Sequence, residues 1–183
     1  MGLLSPFLRK WRIRKASRWV QGKRILDCGC GDGSLLGIIG ENVDYLGVDI
    51  NEKVINEAKG RYRGANFILL NVEKGDLGRY GKFDSVVACA LLEHLNNPKK
   101  FISKIVKLLS RDGRIIITTP APISHNILGY GSTIGIFERE AFEEHKHYLI
   151  YDDFRRMAKE LKLTIKHYER FQFGLNQLVV LSK

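Results

Sequence analysis

ILDCGCGDGSLL, residues 25–36, passes from an apolar run into a turn with three glycines two apart, and then into a helical pattern. The run reads as a strand, the turn as a tight loop, and Ser34 as the start of a helix. Gly29, Gly31 and Gly33 carry no Cβ to hold a ligand off the backbone, and each tolerates positive φ. Such a loop can turn its N–H groups onto a polar ligand at a helix N-terminus. Taken alone, it suits any phosphate or nucleotide.

From Lys23 onward short apolar runs alternate with helical patterns, which signals βαβ units and a parallel sheet. Strands are expected at 24–28, 44–49, 65–70, 83–88 and, after the Asp112-Gly113 turn, 114–119. Helices are expected at 34–39, 51–59 with Asn51 as cap, 98–109 and 152–161. Two strands close the chain, 163–168 and 178–182, with no helix between them, so the last one is expected to run antiparallel. The fold class is therefore α/β: a doubly wound, mostly parallel sheet with helices on both faces and its ligand at the carboxyl ends of the strands.

At 183 residues and 44% apolar, with four prolines and no repeat or linker, the chain is expected to be one domain, residues 1–183. Three cysteines, two of them inside the glycine loop, suggest neither a disulfide framework nor a paired zinc site, so a reducing cytoplasm is the expected compartment. No apolar run reaches the roughly 18 to 20 residues of a membrane span. The net charge of +10 is uneven: eight lysines and arginines and no acid fall in the first 24 residues, leaving +2 for the remainder. Ser5-Pro6 starts a helix, and residues 1–22 form a basic amphipathic segment with two tryptophans. It is read as packing on the core, with contact to an anionic membrane surface and contact with nucleic acid as the alternatives.

The dinucleotide fingerprint would place its last glycine where Ser34 stands. The pattern DxGxGxG from Asp27 instead resembles the first motif of the class I S-adenosylmethionine-dependent methyltransferases. FDSVVACALLEHLNNP, residues 83–98, resembles the fourth-strand motif of their ubiquinone-biosynthesis-like and type 11 members, and GRIIITTP, residues 113–120, their fifth-strand motif. The resemblance covers roughly residues 23–119 and implies a Rossmann-like fold, S-adenosyl-L-methionine as donor and S-adenosyl-L-homocysteine as product. It also implies a binding set. Asp49, ending strand two 22 residues after Asp27, would accept from both ribose hydroxyls, and Ile50 would pack on the adenine. Asn71, where the family often has Asp, would meet the adenine amino group beside Val72. Asp27, Cys28, Gly29, Cys30 and Gly31, with Ala88 and Cys89, would hold the methionine end.

Methyl transfer from a sulfonium is an in-line displacement, so alignment and water exclusion matter most, with a base only where the acceptor carries a proton. His94 and His145 are the candidate bases. Glu93, His94 and His145 or His147 resemble part of a metal-ligand set of some related methyltransferases. Ala90 stands where that set has a further Glu, so no metal is assigned. Cys89 lacks the proline that precedes the nucleophile of cytosine C5-methyltransferases. The fourth-strand motif has none of the Asn/Asp-Pro-Pro-aromatic character that accompanies methylation of base amines. The expected acceptor is accordingly a small or lipid-like molecule, shaped by a substrate-side insert at 120–151. RNA methylation and a non-catalytic cofactor-binding module are the alternatives.

Overall fold

The computed structural model describes residues 5–122 and 148–183. Its elements, in chain order, are α1 (Ser5–Ser17), β1 (Arg24–Cys28), α2 (Ser34–Ile39), β2 (Asp44–Asp49), α3 (Glu52–Arg61), β3 (Asn66–Leu69) and β4 (Phe83–Cys89). They continue with α4 (Pro98–Val106), β5 (Leu109–Pro120), α5 (Tyr151–Glu160), β6 (Thr164–Phe171) and β7 (Asn176–Ser182). Most of 120–151 lies outside the described residues.

One seven-stranded sheet runs in the order β3-β2-β1-β4-β5-β7-β6. Strands β1 to β5 pair in parallel, and β7 lies antiparallel to both β5 and β6, as the missing crossover helix requires. The central strands are covered on both faces, which is why they read as unbroken apolar runs rather than alternating ones. Leu26, Cys28, Val86 and Ala88 face a layer containing Phe101 and Ile105 of α4 and Phe154 and Met157 of α5. Ile25, Val87 and Ile116 face the other way, onto Ile13 and Ala16 of α1, Leu35 and Leu36 of α2, and Ile55 and Ala58 of α3.

Local chemistry sets the element ends. Asn51 Oδ1 accepts the Lys53 N–H at 3.0 Å, and Asn97 Oδ1 accepts that of Lys100 at 2.9 Å with Pro98 opening the helix. At α5, the Asp153 carboxylate accepts the Ile150 N–H at 2.9 Å. The expected Asp112-Gly113 turn is instead a bulge inside a longer β5: Phe83 pairs with Leu109 but Ser85 with Arg114. Gly113 fits there because a Cβ would come 2.9 Å from the Phe83 carbonyl oxygen.

α1 packs on the core through Ile13 and Ala16, as expected, yet Phe7 is 62% exposed. Phe154, fully buried, anchors α5 to the sheet. Phe154→Ala is expected to cost about 3–5 kcal/mol, read as a lower urea midpoint with little change in slope.

Candidate active site

The strand order reverses at β1, which has β2 on one side and β4 on the other, so the loops leaving β1, β2 and β4 diverge there and open a crevice. It has two lobes, of about 590 and 480 Å³, which share Gly29, Asp49 and Ala90. The first is lined by Asp27, Cys30, Gly31, Cys89 and three residues of α1, Arg9, Arg12 and Ile13. The second is lined by Ile50, Asn71, Val72, Leu91 and His94.

The glycine loop spends its N–H groups internally. Gly29 and Cys30 both donate to the Val48 carbonyl, at 2.8 and 3.1 Å, Gly31 donates to Asp49 Oδ2 at 2.9 Å, and Gly33 to the Cys30 carbonyl at 3.1 Å. Gly29, Gly31 and Gly33 all adopt left-handed φ to achieve this. The polar group that Gly29 brings to the crevice is therefore a carbonyl oxygen. An acceptor edge beside Asp27 and Asp49 suits a cationic group, in place of the backbone anion cradle that the glycines first suggest. Gly31 also admits α1: a Cβ there would lie 2.8 Å from the Arg9 guanidinium.

The acids divide into three environments. Asp27 is buried beneath the first lobe and accepts a 2.5 Å hydrogen bond from the Tyr45 hydroxyl; its carboxyl is pushed up to about 7. Burial is the main cause, opposed by the Tyr45 hydrogen bond and reinforced by the charge of Asp49. Asp49 sits at the open end of β2, where its two oxygens accept the N–H groups of Gly31 and Asn51, both at 2.9 Å. A carboxylate has about four lone-pair sites, so acceptor capacity remains for two further donors. Asp32 is held at about 2: Ser34 and Arg61 donate to it, and the Arg9 charge adds to their effect, all against a contrary desolvation cost. It ties α1 and α3 across the loop.

The remaining expected residues are placed as follows. Ile50, 68% exposed, presents bare apolar surface to the second lobe. Asn71 uses its side-chain oxygen on the N–H groups of Glu73 and Lys74, at 2.9 and 3.2 Å, so that oxygen is committed to the backbone and the expected contact with an adenine amino group is not supported; its amide nitrogen can only donate. Ala88 and Cys28 are wholly buried under the crevice, while Cys30 and Cys89 reach its wall. Burial pushes all three thiols up, Cys89 to about 12, so none is a thiolate nucleophile near neutral pH. His94 is in the lobe of Ile50 and Asn71, away from Asp27; His145 and His147 lie outside the described residues. Among the described residues no group of three or more metal-ligating side chains assembles.

Glu93 is buried at the end of β4, with Thr119 donating to one oxygen at 3.0 Å and no donor to the other among the described residues. Burial raises its pKa, and its charge reaches Tyr148 at the far flank of the insert. One side chain fixes both flanks of that insert: Gln177 donates to the carbonyls of Pro120, at 3.1 Å, and Leu149, at 2.6 Å.

Sequence reasoning missed Arg9 and Arg12, which it treated as part of a solvated basic face. The signal was there: Arg9, Arg12, Ile13 and Ala16 share one stripe at i, i+3, i+4 and i+7, and the last two are buried.

Comparison with known proteins bears on the fold and the family. The profile of a family described as "Methyltransferase domain" matches residues 20–167. A ubiquinone biosynthesis O-methyltransferase of Dechloromonas aromatica is 32% identical over 105 residues, 54% of this chain and 44% of that protein. The chain thus spans about half the length of the curated relatives it matches. Among solved structures, the magnesium protoporphyrin IX methyltransferase of Synechocystis PCC 6803 with bound S-adenosylhomocysteine superposes with a TM-score of 0.73 at 18% identity, over 95% of this chain and 83% of that one. An S-adenosylmethionine-dependent methyltransferase from Mesorhizobium loti gives 0.75 at 19% identity, over 96% and 98%. These likenesses carry the fold, while the profile match spans most of the chain: the protein belongs to the methyltransferase domain family, among the class I S-adenosylmethionine-dependent methyltransferases.

Proposed function

We propose that the chain is a methyltransferase that uses S-adenosylmethionine and acts on a small or lipid-like acceptor. The observation that carries the reading is the pairing of a glycine loop whose N–H groups are spent with two acids at adjacent strand tips. The donor is amphoteric and bears no phosphate. Its ammonium suits the Gly29 carbonyl and Asp27, its ribose diol suits the spare acceptor capacity of Asp49, and its adenine suits Ile50 in the second lobe. When bound it supplies a methyl group already activated by a sulfonium. The chain's part is to orient that group and to exclude water, and the α1 residues over the first lobe do the latter.

Two features support a small or lipid-like acceptor. The β4 tip is Ala88-Cys89-Ala90, with none of the residues that grip an exocyclic base amine, and the Dechloromonas relative is named for an O-methylation in ubiquinone biosynthesis. Neither candidate histidine is given the base's role on the described geometry, since His94 lies on the nucleoside side.

Calorimetric titration with S-adenosylmethionine and with NAD is the test. Micromolar binding of the first and none of the second is expected, followed by label transfer from the methyl-labelled donor to an organic-phase product. Binding of NAD in preference would overturn the reading; label appearing in RNA alone would overturn the acceptor class.

A further inference from the structure

α1 has two working faces. Arg9, Arg12, Ile13 and Ala16 look inward to the crevice and the core. On the opposite side Phe7, Lys10, Trp11, Arg14, Lys15 and Arg18 surround a shallow recess of about 340 Å³. Phe7 and Trp11 pack edge to face at 6.1 Å, and Phe173, from the distant β6–β7 hairpin, meets Trp11 edge-on at 6.3 Å. The three rings make one apolar island drawn from two separate segments.

Phe173 is 93% exposed and sits at φ 58°, between Gln172 at φ 53° and Gly174 at φ 82°. A bulky side chain in left-handed backbone is a strained outlier, and it persists only where surrounding contacts impose it. Here those contacts are visible. Gln172 is buried, donates to the Leu8 carbonyl at 2.6 Å and accepts from Asn176 at 2.6 Å, so the hairpin tip is pinned to α1. The fold thus holds a phenylalanine out in water beside two other aromatic rings. Around the island, Lys15 is neutralised by Glu169 at 2.7 Å, but among the described residues Lys10, Arg14 and Arg18 have no acidic partner.

We propose that this face docks on an anionic lipid bilayer, with Phe7, Trp11 and Phe173 entering the headgroup–acyl boundary and Lys10, Arg14 and Arg18 meeting the lipid phosphates. Aromatic tips ringed by cations that have no acidic partner among the described residues match such an interface in both polarity and charge. RNA fits less well, because the three rings gather into one apolar island instead of being spaced along a basic groove that could track a strand. The docking surface stands apart from the acceptor question, since it lies on the side of α1 turned away from the crevice.

Cosedimentation with vesicles tests it, without cofactor or acceptor, so failure here leaves the methyltransferase reading untouched. The chain is expected to bind vesicles of mixed phosphatidylcholine and phosphatidylglycerol and to ignore pure phosphatidylcholine. The triple variant Lys10→Gln/Arg14→Gln/Arg18→Gln is expected to bind about 100-fold more weakly, at about fivefold per basic residue. Phe173→Gly is the discriminating variant: it relieves the left-handed strain, so its urea midpoint is expected to rise while vesicle binding falls about tenfold. Equal binding to both vesicle types overturns the proposal. So does unchanged binding by Phe173→Gly, or a preference for single-stranded RNA that Phe173→Gly leaves intact.

Discussion

Asp49→Ala is expected to weaken S-adenosylmethionine binding by about 100- to 10,000-fold, the loss of two hydrogen bonds to a charged acceptor at about 1.5–3 kcal/mol each. The carboxylate serves the protein and the ligand at once. Its two oxygens accept the N–H groups of Gly31 and Asn51, which lock the glycine loop to the start of α3, and the remaining lone pairs face the crevice. Alanine removes both functions. Because the two orphaned amides lie at the crevice edge, water replaces the carboxylate there, and the cost in stability is expected to stay within about 1–2 kcal/mol. Calorimetric Kd values for S-adenosylmethionine and S-adenosylhomocysteine, beside a urea midpoint, separate the effects. Equal losses for both ligands with a nearly unchanged midpoint place the contact on the shared ribose. A loss below about tenfold would remove Asp49 from the nucleoside contact.

How much of this was legible in the sequence varied with the physics behind each feature. The central strands read correctly because burial on both faces makes 25–26, 45–48 and 115–117 apolar, and the last strand's direction followed from the absence of a crossover helix. Asp49 was placed at a strand tip by the same reasoning. Three things were not legible. The direction in which loop N–H groups point depends on three alternate left-handed glycines and on a carbonyl of the neighbouring strand, Val48, a long-range pairing that local sequence does not encode. Ser110 to Gly113 carries a turn signal but is absorbed as a bulge, because β4 pairs on both sides of it, Phe83 with Leu109 and Ser85 with Arg114. The inward arginines of α1 were hidden by composition: Arg9 and Arg12 count among eight basic residues, and only their register with the buried Ile13 and Ala16 separates them from Lys10, Arg14 and Arg18. Phe173 gave no signal either, since its exposure and left-handed backbone come from Gln172 reaching across to Leu8.

Asp27→Asn is expected to make the folded chain more stable near pH 8 by up to about 4 kcal/mol while weakening the cofactor. The sign follows from proton counting. Below pH about 4 the carboxyl is protonated in folded and unfolded chains alike, so the site contributes no pH dependence. Between about 4 and about 7 the unfolded chain loses this proton and the folded chain keeps it, so stability falls by about 1.4 kcal/mol per pH unit. Above about 7 the full penalty of a buried carboxylate persists, only partly offset by the Tyr45 hydroxyl and the Arg9 charge. Asparagine keeps an oxygen for Tyr45 and carries no charge, so urea midpoints of the variant are expected to be flat over the range where the parent's decline. A protein that retains such a group at the floor of its crevice gives up stability for something, and the pairing with a ligand ammonium supplies the reason. That pairing requires the carboxylate, so parent affinity is expected to rise through pH about 7 with proton release, detected by calorimetry in buffers of different ionisation enthalpy. In Asp27→Asn the release attributable to this site disappears and affinity at pH 8 falls about 10- to 100-fold, the equivalent of one hydrogen bond to a charged group. A variant that is stabilised at high pH yet binds the cofactor as well as the parent would assign Asp27 to the fold alone.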